Sequence, residues 1–109
     1  MSRLYFVVRA DISEGRRAAQ LIHAQDDWTA RYGHHNGAVV VYAARNEADL
    51  LRHLPDQGRT VLFREPSLND QATAFATDTG SMTLPLLGQH RGHNHKKSST
   101  QWLTPQENT

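Results

Sequence analysis

The chain has 109 residues, is 38% hydrophobic and 21% charged, sets 12 Lys and Arg against 11 Asp and Glu, and contains no cysteine. That composition bounds it to one small domain and excludes disulfide stapling, zinc–thiolate sites and cysteine nucleophiles. Its longest apolar runs, such as residues 38–44, fall far short of the roughly 20 residues that span a bilayer. Met1, Ser2 and Arg3 lead straight into a strand-like segment, so the expectation is a cytoplasmic protein with no signal peptide and no membrane partner.

Charge is divided unevenly. Residues 1–80 carry 9 basic and 10 acidic side chains, whereas residues 81–109 carry 3 basic and 1 acidic. The first block also holds every Phe, every Tyr and Trp28, so residues 1–80 are read as an α/β domain. Residues 81–109, rich in His, Gly, Ser, Thr and Gln, are read as a flexible polar tail that buries little. Its two candidate docking points are Leu84–Leu87 and Trp102–Leu103.

Taken in order, Leu4-Tyr-Phe-Val-Val is continuous, aromatic and β-branched, the pattern of a central strand buried on both faces. From Ser13 to Tyr32, the apolar residues Ala18, Leu21, Ile22, Trp28 and Tyr32 follow a helical period, with Ser13 or Asp11 as N-cap and Gly33 as the stop. Ala38-Val-Val-Val-Tyr-Ala-Ala repeats the buried-strand pattern. Asn46 then caps a second helix with Ala48, Leu50, Leu51 and Leu54 on its apolar face, ended by Pro55 and Gly58. Thr60 to Arg64 is a third strand, interrupted by Pro66, and Gln71 to Thr77 a fourth, whose alternation predicts one wetter face. The order βαβαββ predicts a compact three-layer domain, a mixed four-stranded sheet flanked by helices. A parallel pair lies among its first three strands, and the fourth is a hairpin partner or the opposite edge.

Ligands of open α/β sheets collect beyond the carboxyl ends of the strands. Three segments meet that description: Arg9 to Arg17, Ala43 to Glu47, and Arg64 to Gln71. In the first, Gly15 permits an unusual backbone angle and Arg16 and Arg17 stand at a helix start, where free N–H groups favour a phosphate; a turn with a solvated first helical turn is the competing reading. Arg16, Gln20, His23 and Asp27 fall on one narrow helical stripe, either a binding face of cation, amide, imidazole and carboxylate or a solvent-facing one. In the third segment, Pro66 stiffens a loop carrying Glu65, Asn69, Asp70 and Gln71, suited to activating water or recognising a base, unless Glu65 only pairs with Arg64 or Arg9. His34-His35 and the tail histidines His90, His93 and His95 have no thiol or carboxylate at ligand spacing, so neither metal nor cofactor is expected. The tail's Arg91, Lys96 and Lys97 suit contact with phosphates better. No GxxxxGK[ST], GxSxG, HExxH or GxGxxG string occurs.

The string VVRADISEGRRAAQLIHA, residues 7–24, resembles the opening of type II peptidyl-tRNA hydrolases. These pair a strand ending V-V-R-x-D with a helix carrying G-K-x-A-A-Q-x-x-H-A. Val7, Val8, Arg9, Asp11, Gly15, Ala18, Ala19, Gln20, His23 and Ala24 match that pattern, and the resemblance covers about residues 3 to 79. It implies a homodimer that hydrolyses the ester joining a peptide to tRNA, without a metal. Arg16 stands where the family has lysine, keeping the charge but losing the compact amine. Glu65-Pro-Ser-Leu-Asn-Asp-Gln replaces the family's D-A-G-R-T-Q, which maps its carboxylate to Glu65. The expected catalytic set is Asp11, Arg16, His23 and Glu65, with Arg9, Gly15, Arg17, Gln20, Asn69 and Gln71 binding the tRNA acceptor end or a nucleotide. The alternatives are a nucleotide- or RNA-end-binding module that has lost turnover, and an interaction scaffold that works through its tail.

Overall fold

The computed structural model describes residues 3–80 and 82–90. In chain order it forms β1 (Arg3–Arg9), α1 (Glu14–Tyr32), β2 (Ala38–Ala44), α2 (Glu47–Arg52), β3 (Thr60–Glu65), a 3-10 turn (Pro66–Leu68), β4 (Gln71–Thr77) and β5 (Leu86–His90). The sheet has five strands in the order β3-β4-β1-β2-β5. β1 and β2 are parallel, and every other pairing is antiparallel. One face carries α1 over Leu4, Phe6, Val8, Ala74 and Ala76. The other carries α2 over Val7, Ala72 and Phe75, so the three-layer α/β architecture stands.

Three expectations change. The sheet is five-stranded, because residues 86–90 add to the free edge of β2 and Met82 and Leu84 pack with Leu50 and Phe75 on the α2 face. The segment past residue 80 therefore docks on the domain at the Leu84–Leu87 point named from the sequence. With Pro85 ahead of it and Gly88 within it, β5 has little strand character of its own; the exposed ladder of β2 recruits it. β4 has no wetter face: residues 72–77 are all buried, because β4 lies between β3 and β1 with a helix on each side. The buried arc of α1 is Gln20, Ala24 and Trp28, while Ile22 is 58% exposed and Ala18 faces solvent. That arc is turned roughly 90° from the expected one toward the polar stripe, because small Ala24 admits the sheet closely and Gln20 has a partner beneath it. Residues 81 and 91–109, with Trp102–Leu103, His93, His95, Arg91, Lys96 and Lys97, lie outside the described residues.

Candidate functional site at the carboxyl end of the sheet

β1, β2 and β3 run in one direction and β4 in the other. The carboxyl ends of the first three, the start of β4 and the amino ends of both helices therefore share one end of the molecule. All the sequence-predicted residues belong to this end or to α1 leading from it, but the sheet divides them between its two faces.

On the α2 face lies the guanidinium of Arg9, a residue 8% exposed. It donates to both Asp11 oxygens at 2.9 Å, to Gln71 Oε1 at 2.9 Å and to the Ala72 carbonyl at 3.3 Å. Glu47 accepts from the Ala72 N–H at 2.7 Å. The hydrogen bonds to Arg9 hold the Asp11 carboxyl below its ordinary range, and Asp11 in turn raises Arg9. Glu47, the last residue of the candidate segment Ala43 to Glu47, joins this cluster, although nothing in the sequence assigned it an individual role; its signal was its place in the first turn after the Asn46 cap.

On the α1 face, the β3–β4 ladder changes register: Phe63 pairs with Ala74 but Arg64 with Ala72. Thr73 is the extra residue of a bulge, which turns its side chain to the same face as Ala74. Its hydroxyl donates to Gln20 Oε1 at 2.8 Å, both residues being buried. This orients the Gln20 carboxamide with its NH2 away from Thr73, and it buries Gln20, which periodicity placed on the polar stripe with Arg16, His23 and Asp27. Thr73 is a residue that the sequence reading missed, since a bulge has no signature in the strand's alternation.

Glu65 ends β3 on this same face. Its Oε2 accepts from the Ser67 N–H at 3.1 Å and the Ser67 hydroxyl at 3.0 Å. Its carboxyl is held below the ordinary range by the Ser67 backbone N–H first, then by the Gln20 amide, the Ser67 hydroxyl and the nearby His23. Glu65 thus pairs with neither Arg64 nor Arg9; Arg64 instead donates to the Asp70 carbonyl at 3.2 Å. The His23 ring lies on Phe63, centroids 4.8 Å apart and planes 21° from parallel, with its side chain exposed. Pro66 opens the 3-10 turn, and Asn69 and Asp70 follow with φ of 56° and 60°. The loop is therefore a defined shape built from the residues that tolerate left-handed backbone most readily.

At the start of α1, the Ser13 hydroxyl accepts from the Arg16 N–H at 3.3 Å, so one of the free N–H groups expected there is already capped. Gly15 is helical and its φ lies outside the left-handed range. The unusual angle expected of it is absent, and a Cβ there would meet open space. Arg17 donates to the Ala10 carbonyl at 3.3 Å. Arg16 is exposed on the turn preceding Gln20, and Asp27 is exposed on the turn after His23. Among the described residues no cluster of three or more His, Asp or Glu could hold a metal ion, and no helix is long and apolar enough to cross a membrane. No family model matches the chain, and no curated protein matches it significantly. What fold and site define directly is a three-layer α/β protein with an ionised carboxylate, an imidazole and a buried amide gathered at the carboxyl end of its sheet.

Proposed function

We propose that the protein is a hydrolase of the peptidyl-tRNA type, cleaving the ester between a peptide and the terminal ribose of tRNA by attack of water. The observation that carries this reading is that Glu65 at the end of β3 shares one face of the sheet with Gln20 and His23 of α1, Gln20 bonded to Thr73 and the His23 ring stacked on Phe63. The resemblance of residues 7–24 to that family supports it. Since Arg9 already engages both oxygens of Asp11, the water-orienting role falls to Glu65. In the reaction, water held at the Glu65 carboxylate attacks the ester carbonyl carbon while its proton passes to His23. The C–O bond to the ribose then breaks, and that proton goes to the leaving hydroxyl. Arg16, with Arg17 beside it, pairs a phosphate of the acceptor end, and Asn69 and Gln71 add polar contacts. An ester needs little beyond positioned water and a donor for the developing oxyanion.

The test is release of free tRNA from an N-acetylated aminoacyl-tRNA. Glu65→Gln should reduce release about 100-fold or more at unchanged thermal stability, and undiminished release removes Glu65 from the chemistry. One observation favours a second reading, binding without turnover: a carboxylate held below its ordinary range is a weak base. That reading expects no release, but thermal stabilisation by a nucleotide that Arg16→Ala abolishes.

A further inference from the structure

β3 forms one margin of the sheet. Among the described residues it pairs with β4 alone, so along Thr60–Glu65 alternate residues turn unpaired backbone N–H and C=O groups outward. Proteins ordinarily blunt such an edge with charges, proline or brevity. Here the charges Arg59, Arg64 and Glu65, and Pro66, stand at the ends, and the middle, Val61-Leu62-Phe63, carries none. The opposite margin, β5, exposes Leu86 and Leu87 but lies at the other side of the sheet from Glu65. Beside the β3 edge, α1 leaves a cleft of about 300 Å3 lined by Asp27, Ala30, Arg31, Val61 and Leu62. At its carboxyl end the strand delivers Glu65, with the His23–Phe63 stack alongside.

We propose that this edge takes the acyl peptide of the substrate as an added strand, lying along Thr60–Glu65 with its ester end at Glu65. The inference rests on the hydrolase reading and names how that site holds the non-nucleotide half of its substrate. Main-chain pairing is the fitting chemistry, because an open strand edge offers a peptide backbone N–H and C=O groups that any residue can meet. The edge spans about 20 Å, enough to pair with five or six residues. Side chains of the added strand that fall on the α1 side meet small Ala30 between Asp27 and Arg31, a surface of balanced charge that selects weakly. Continuity with Glu65 and His23 favours the peptide over a second copy of this chain pairing through the same edge.

The experiment uses the full-length 15N-labelled chain and follows backbone amide resonances while N-acetyl-Val-Thr-Val-Thr-Ala-amide is added. Two further peptides carry N-methyl groups at the odd or at the even residues. The expected result is perturbation of amides within Thr60–Glu65, with one methylation register binding about tenfold more weakly and the other unchanged, because only alternate N–H groups face the edge. No perturbation there at millimolar peptide, or equal weakening by both registers, overturns the proposal. So does protection of the β3 amides that rises with protein concentration and that peptide does not displace, which assigns the edge to a second copy. The titration needs no turnover, so peptide binding without ester cleavage refutes the hydrolase reading alone, and cleavage without edge binding refutes this inference alone.

Discussion

Replacing Thr73 by Val tests the contact on which the α1-face site is built. The side chains share a shape, so no cavity opens, but the only change in chemistry strands Gln20 Oε1, which the hydroxyl meets at 2.8 Å. Gln20 is 2% exposed and Thr73 0%, so water does not replace the lost donor. An orphaned buried acceptor costs about 1–3 kcal/mol. For a domain of this size, 2 kcal/mol lowers Tm by roughly 10 °C, or moves the urea midpoint by about 1 M at an m-value near 2 kcal/mol/M. Equilibrium urea unfolding of Thr73→Val, Gln20→Met and the double variant supplies the measurement. With both polar partners gone, the double variant should be more stable than Thr73→Val alone. The Glu65 carboxyl, followed by 13C resonance, should titrate at higher pH in Thr73→Val, because the Gln20 amide is no longer held toward it. Stability within about 0.5 kcal/mol of the parent, or a double variant losing the full sum of the single losses, refutes the reasoning.

Asp49 is buried at 3% exposure and bonded to the Arg45 N–H at 2.9 Å, with the Arg45 and Arg52 guanidinium groups on its oxygens. The Arg45 backbone and side chain, with Arg52, bring its pKa down to about 2. The unfolded chain thus binds this proton at higher pH than the folded one, so the stabilisation is complete above about pH 5 and is lost as pH falls toward 2. Asp49→Asn should flatten the acid limb of a pH-dependent unfolding series, and an unchanged limb would place the linkage on Asp11, Glu65 and Asp78, the other carboxyls held low among the described residues. Gly58 has a φ of 80° and a Cβ there would run into the Thr79 and Asp78 side chains. Gly58→Ala should therefore cost at least about 1 kcal/mol in thermal unfolding, whereas parental stability would contradict the left-handed turn.

Local chemistry made much of this fold legible in advance. Ser13 stands alone as a capping hydroxyl before the longest helical period, and it does cap α1. The β-branched runs at residues 4–8 and 38–44 have nowhere to go but a doubly covered sheet, and they became its parallel pair. The rigid acidic bend was equally readable, because proline after Glu65 and an Asn-Asp pair admit few backbone shapes. What lay beyond the sequence was everything carried by a partner distant along the chain. Residues 86–90 became a strand because β2 offered an open ladder. Gln20 was buried out of the polar stripe because a bulge 53 residues away turned Thr73 beneath it, and Asp11 was separated from Glu65 because Arg9, on the α2 face of β1, claimed both its oxygens. Side-chain period and capping are properties of a few neighbouring residues and are written locally. Sheet order, register and the face on which a polar group finds its partner are settled only when remote segments compete for the same hydrogen bonds.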